Sequence, residues 1–243
     1  MRDFLLDLVE HSYDLGCIEL IKITGSDTET VVDGIAEDKS VVVKARFHKP
    51  VADFIGTFGM PNLNKLKILL NIAEYREDAE ISVKRQERNG EEVPVGLHFR
   101  NNTGDFRNDY RFMVSEIVSE KLKTVKMKEV PWNVEFEPTV AGIMRLKMQA
   151  QANAEETTFQ AKTEDGNLKF LFGDHSTHAG DFVFANDVTG KLSQSWHWPV
   201  QQVISRMNLT GDKKIQISDS GATKITVDSG IAVYEYILPA QSK

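Results

Sequence analysis

The sequence carries an internal duplication, so whatever it folds into must be buildable twice. His48-Lys49-Pro50-Val51-Ala52-Asp53-Phe54-Ile55 and His197-Trp198-Pro199-Val200-Gln201-Gln202-Val203-Ile204 share the pattern H-x-P-V-x-x-x-I, 149 residues apart. The flanking segments recur in the same order. Ahead of each motif lies a stretch with apolar residues at helical spacing. These are Phe4, Leu5, Leu8, Val9 and Leu15 in the first half, and Val140, Ile143, Met144 and Met148 in the second. Strand-like runs follow over 18–24, 29–36 and 40–47, and again over 157–162, 167–172 and 181–185. Asp165-Gly166 marks a two-residue hairpin turn. Beyond the motifs, 78–83 matches 212–217 at an offset of 134, so the first half holds about 15 extra residues, placed near 61–76. Next, 93–99 matches 222–227, and 110–113 matches 234–237.

Each half therefore reads as helix, three strands, short helix, three strands. The short helices are predicted over 50–58 and 199–209. Each opens on a proline, which a helix tolerates in its first turn because the missing N–H has no intrahelical partner there. The halves, 1–115 and 132–243, are joined by a lysine-rich connector over 116–131, and a strand over 132–137 opens the second. The expected fold class is α+β: two tandem domains with helices packed on antiparallel sheets. Such halves leave sheet edges open, and an open edge must be charged, covered or paired with another copy.

The formal charge of −7 argues against a protein that grips phosphates over its whole surface, but leaves room for a basic patch. The single cysteine, Cys17, excludes an intrachain disulfide and fits a reducing compartment. No apolar run approaches about 18 residues, so no membrane partner is expected. The acid-interrupted opening MRDFLLDLVEHSYDL makes a poor secretory signal. The expected location is the cytoplasm.

Catalytic, metal and cofactor chemistry are not expected. Asp174-His175-Ser176-Thr177-His178 has loose metal-ligand spacing, but between Gly173 and Gly180 a polar turn is the simpler reading. His48 and His197 recur at matching positions, which favours packing or capping over catalysis. Cys17 has no basic neighbour to activate it. A phosphate-binding G-x-x-x-x-G-K-S/T is absent, so the chain does not load itself with ATP. Trp132, Trp196 and Trp198 are too few for a single-strand stacking platform.

The tandem repeat, the stretch D-A-E-I-S-V at 78–83 and the ending Val233-Tyr234-Glu235-Tyr236-Ile237-Leu238-Pro239-Ala240 resemble the DNA polymerase sliding clamps, specifically those of T-even-type bacteriophages. The ending is similar to the terminal tyrosine–leucine–proline strand of eukaryotic and archaeal clamps. The resemblance spans nearly the whole chain. The family's opening strand is expected to be missing or very short. The resemblance implies a homotrimeric ring of six similar domains, helices lining the hole and sheets forming the rim. Duplex DNA is encircled without sequence reading, and the polymerase is tethered. A separate ATP-driven loader would open the ring.

Three sets of residues follow from the resemblance. Arg145, Lys147 and Arg206 in the second half, with Gln202, and Lys49, Lys65 and Lys67 in the first would face DNA; each is equally at home on a solvated helix face. Asp3, Asp7, Glu10 and Asp14 fall on one face of the first helix, so either that helix is turned or the acids favour its N-terminus through the dipole. Tails of the DNA polymerase and of the clamp loader would dock in a pocket at the connector. Its residues would be Ile117, Val118, Leu122 and Val125 on the connector, Tyr236, Leu238, Pro239 and Ala240 at the end, and Ile35 and Val41 in the first half. Core filling is the alternative for each of these. Connector lysines would receive acidic partner residues or form a solvated face. The strands over 108–114 and 181–186 would pair between subunits through Tyr110, Phe112, Val114, Phe182 and Phe184, the alternative being packing within one chain. A different class of function, a duplicated β-rich phage structural or scaffold protein, would share the duplication without sliding on DNA.

Overall fold

Helix α1 (Arg2–Glu10) forms because its apolar positions return every three or four residues, and it buries Leu5, Leu8 and Val9. The computed structural model describes residues 1–88, 90–123, 129–174 and 178–241. The chain divides into two units: Met1–Lys126 with Ser229–Tyr234, and Met127–Asp228 with Glu235–Lys243.

In the first unit, β1 (Ile21–Gly25), β2 (Thr30–Ile35) and β3 (Val42–Phe47) alternate buried and half-buried side chains, the mark of a sheet with one covered face. With β4 (Gly56–Met60) they form an antiparallel sheet in the order β4-β1-β2-β3. Helix α2 (Leu63–Asn71) follows; the Asn62 side chain accepts from the Lys65 N–H at 3.3 Å and caps it. Strands β5 (Glu80–Arg88), β6 (Glu91–Arg100) and β7 (Arg107–Arg111) make a second antiparallel sheet, in that order. The two sheets meet where Gly59 and Met113 exchange backbone hydrogen bonds of 2.9 and 2.8 Å. Helix α3 (Ser115–Lys121) closes over this seam. A Cβ on Gly59 would come within 2.7 Å of Val118, so the glycine allows the contact.

The second unit repeats this order. Strand β8 (Val134–Phe136) and helix α4 (Val140–Ala152) precede β9 (Thr158–Glu164), β10 (Asn167–Gly173) and β11 (Ala179–Ala185). The short β12 (Thr189–Gly190), then β13 (His197–Pro199), lead into α5 (Val200–Met207). Strands β14 (Asp212–Ser218), β15 (Ala222–Asp228) and β16 (Ala232–Pro239) complete it. The first sheet runs β13-β9-β10-β11, the counterpart of β4-β1-β2-β3, and the second runs β12-β8-β14-β15-β16. His197 and Gln241 join the two sheets as Gly59 and Met113 do in the first unit. Asp165 and Gly166 both have positive φ (50° and 78°), the conformation that a two-residue hairpin requires.

One predicted element is wrong. Residues 50–58 do not form the first short helix. They make a single 3₁₀ turn (Ala52–Phe54) and the start of β4, and the helix lies beyond, at Leu63–Asn71. The counterpart of Pro199 is therefore Pro61, which ends β4 as Pro199 ends β13. The H-x-P-V match at His48 is local and out of register with the structural repeat. The residues near 61–76 are α2 and the turn after it rather than an insertion.

Candidate functional site

The cations assigned to the helices divide by environment. Arg145 and Lys147 stand exposed on α4, and Lys65 on α2. Lys49 is exposed on the loop after β3 rather than on a helix. Lys67 is engaged: its Nζ donates to Asp14 Oδ1 at 2.7 Å and lies 5.8 Å from the centre of the Tyr13 ring. That hydrogen bond holds the Lys67 pKa above its ordinary value.

Arg206 is a correction. It is fully buried under α5, where Nη1 donates to the Gln202 carbonyl at 3.0 Å, to the Gln202 side-chain oxygen, and to Ser205 Oγ at 2.8 Å. Its guanidinium stands 5.4 Å from the centre of the Tyr236 ring. Position 206 falls on the same face as Val203 and Met207, which turns it into the core, and Gln202 is committed to satisfying it. Neither side chain is set to meet DNA.

The acidic face of α1 is also broken up. Asp7 is buried and accepts from the Tyr234 hydroxyl at 2.6 Å, with the His11 ring stacked on Tyr234 at 4.3 Å. Asp14 is paired with Lys67, which leaves Asp3 and Glu10 exposed.

The apolar face read for α4 is not its buried face. Gly142 and Leu146 are buried, while Val140, Met144 and Met148 are 78%, 51% and 61% exposed. Gly142 explains the rotation. A Cβ there would come within 2.7 Å of the Phe184 carbonyl, so the helix lies close on β11 only with this residue inward. The exposed stripe is flanked on the helix surface by Arg145 and Lys147, a feature that the spacing of its apolar residues alone did not distinguish from a core face.

At the connector, Ile35, Val42 and Leu122 with Asp33, Lys44 and Lys123 line a small groove in the first unit. Asp33 is paired with Lys22 at 3.3 Å, so the lysines set the charge of the groove. Ile35 and Leu122 thus come together as expected, and Asp33, Val42 and Lys44 were missed. The pairing of Val42 with Ile35 across β2 and β3 is the signal that points to it. Other expected members lie elsewhere. Val41 and Val118 are buried in the core of the first unit, and Ile117 is exposed on α3. Tyr236 and Leu238 are fully buried in the second unit, because the inward positions of β16 place both under its sheet. Pro239 is exposed and Ala240 half-buried, its Cβ 3.6 Å from where a Cβ on Gly221 would stand. Val125, and the neighbouring Lys126 to Lys128, lie outside the described residues, as do His175, Ser176 and Thr177.

The strands expected to pair between copies are both sheet edges: β7 ends β5-β6-β7, and β11 ends β13-β9-β10-β11. Their aromatic residues serve their own unit first. Tyr110 is buried and donates its hydroxyl to the Pro61 carbonyl; burial raises its pKa. Phe112 stacks on Phe58 at 4.2 Å, and half-buried Val114 is the N-cap of α3. Phe184 is buried against Phe170 and Phe136, and Phe182 is half-buried beside it. Among the described residues no group of three or more His, Cys, Asp or Glu is placed to hold a metal, and no helix is long and apolar enough to cross a membrane.

No protein-family model and no curated protein matches this sequence. Solved structures do. A structure of the C-terminal region of FEN-1 bound to A. fulgidus PCNA matches with a TM-score of 0.71 at 10% identity, over 100% of this chain and 96% of that one. PCNA from Thermococcus kodakaraensis matches with a TM-score of 0.69 at 12% identity, over 99% and 96%. The chain has the PCNA fold. At such identity the likeness resides in the backbone, and in the PCNA fold seen here the duplicated order of helix and sheet spans the whole chain.

Proposed function

We propose that the chain is a non-enzymatic sliding clamp: three copies close head to tail around duplex DNA and tether the replicative DNA polymerase for processive synthesis. The observation that carries this reading is the full-length match to two PCNA structures by a chain that builds the same unit twice. The charge of −7 supports encirclement over gripping, since three copies would triple it and oppose tight phosphate binding. Lys65, Arg145 and Lys147 are the cations offered to DNA, with Lys49 outside the helices. The finer assignment, to clamps of T-even-type bacteriophages working in the host cytoplasm, rests on the sequence resemblance.

Polymerase and clamp-loader tails would dock in the groove of Ile35, Val42 and Leu122. A PCNA of the same fold is bound to a C-terminal region of another protein, which supports a tail as occupant. An apolar anchor from such a tail would enter the groove, and Lys44 and Lys123 would meet acids beside it. The deciding experiment loads the protein on circular duplex DNA with a clamp loader and then cuts the circle. A clamp is retained on the circle and lost on cutting. Equal retention on both, or none on either, would favour a structural or scaffold protein.

A further inference from the structure

We propose that the outer face of the β5-β6-β7 sheet holds a phosphate dianion over Gly96, between Lys84 and Arg111; this does not depend on the ring reading above. Lys84 pairs with Gly96 across β5 and β6, and Gly96 pairs with Arg111, the last residue of β7. Residues directly opposite on neighbouring strands share one face of a sheet, so these three positions form a row. Two positions along, Ser82, His98 and Asp109 form the next row of the same face. Leu97, Phe99 and Tyr110, which alternate with these positions, are buried, so the rows lie on the side away from the core.

The first row has no side chain at its centre. A Cβ at Gly96 would come within 2.5 Å of the Tyr110 carbonyl, so the backbone admits only glycine there. The register also shifts between Lys84 and Arg85, and Val95 has no partner on β5. The result is a cleft of about 180 Å³ over buried Gly96. Lys84 and Arg111 both line it, from strands two spacings or about 10 Å apart.

The charges lining the cleft do not cancel. Lys84, Arg85 and Arg111 are cationic, and Asp109 alone is acidic. Asp109 binds Lys84 at 2.8 Å, and that hydrogen bond, then the one from His98, holds its carboxyl below the usual range. It therefore offsets one cation. Arg85 donates to the backbone carbonyls of Asp53 and Ile55 at 3.1 and 2.9 Å, neutral partners that leave its charge in place. Arg111 is exposed and makes no hydrogen bond or ion pair among the described residues. An excess of two positive charges remains, on a chain whose formal charge is −7. That excess matches a phosphate dianion better than a single carboxylate. The Arg111 fork presents N–H donors to two oxygens, and the remaining donors of Lys84 meet a third. A strand added at the β7 edge would lie in the plane of the sheet, while these side chains project out of it, so ion binding and edge pairing use different atoms.

The test is isothermal titration calorimetry on the full chain, at low ionic strength and a pH of about 8, where the ion is a dianion. The probes are inorganic phosphate and, separately, a nucleoside 5′-monophosphate. Saturable binding of one ion per chain is expected. Arg111→Gln should weaken it at least about tenfold by removing charge-assisted hydrogen bonds. Asp109→Asn should tighten it about threefold, because it removes the repelling carboxylate and frees Lys84. A variant that merely misfolds cannot give the second result. Tighter binding of the nucleotide would show that the group arrives as a monoester, and tighter binding of the inorganic ion that it arrives free. Heats that do not saturate, binding unmoved by Arg111→Gln, or weakening by Asp109→Asn would overturn the proposal. So would an equal loss in Lys162→Gln, the same change of charge at an exposed position of β9, or equal competition by short duplex DNA, whose phosphates carry one charge each. Retention on circular DNA tests the clamp reading separately, and neither result decides the other.

Discussion

Arg206 shows how much a single side chain depends on its surroundings. As a residue on a polar-looking helix it counts as a DNA contact; in the fold it is fully buried, held by Gln202, Ser205 and the Tyr236 ring. Arg206→Ala would leave those acceptors unpaired and open a cavity. The expected loss is about 2–4 kcal/mol in urea unfolding, with the salt dependence of DNA retention unchanged. Tyr110 carries a second prediction. Burial raises its pKa above the ordinary 10.0, so the unfolded chain ionises first as pH climbs. Its contribution is fully present below pH of about 10 and is lost above it. Tyr110→Phe should cost about 1 kcal/mol at neutral pH by deleting the hydrogen bond to Pro61, and should flatten the alkaline fall in stability measured by unfolding across pH.

At the scale of elements, α4 is positioned by its smallest residue. Gly142→Ala would push a methyl group to 2.7 Å from the Phe184 carbonyl, a backbone atom that cannot swing aside, so the helix must lift from β11. A loss of about 1–3 kcal/mol in thermal or urea unfolding is expected. The opposite face behaves differently. Met144→Lys with Met148→Lys changes only exposed positions and should alter stability by no more than about 0.5 kcal/mol each. If α4 faces duplex DNA, the same pair adds cations between Arg145 and Lys147. The salt dependence of DNA association should then steepen by about two phosphate contacts per copy, read as the slope of log affinity against log salt. An unchanged slope would show that α4 faces away from DNA.

For the whole molecule, the acidic balance and the small number of free helix cations set the expected behaviour on DNA. Affinity for linear duplex should be weak, with a shallow dependence on salt, because few phosphates are contacted. If the chain closes as a ring on a circle, the half-time of retention should change little with salt until the ring opens, because topology rather than phosphate contact would then hold the DNA. Following labelled protein on closed and cut circles across a salt series checks both halves of that statement. Ile35→Glu with Leu122→Glu should abolish polymerase stimulation while retention on circles persists, since both line the groove rather than a sheet edge.

Much of the architecture was legible in the sequence because alternation and helical spacing are local. The strands over 167–172 and 222–227, the turn at Asp165-Gly166 and the helix after Pro199 needed only neighbouring residues to define them. The register of the repeat was harder: the motif at His48 matches that at His197 in letters, yet Pro61 is the counterpart of Pro199, because what makes β4 a strand is its pairing with β1, over 30 residues earlier. The sites were the least legible. Whether Lys67 is free, Arg206 solvated or Leu238 reachable depends on Asp14, Tyr236 and the sheet above them, partners distant in the chain. The sequence by itself determined that one unit is built twice and where most of its strands and helices lie, β4 and the helix after it excepted, since these follow from patterns within a few residues. Only the tertiary structure decided which face each element buries and which charges remain unpaired, since burial and pairing are properties of neighbours that the chain brings together by folding.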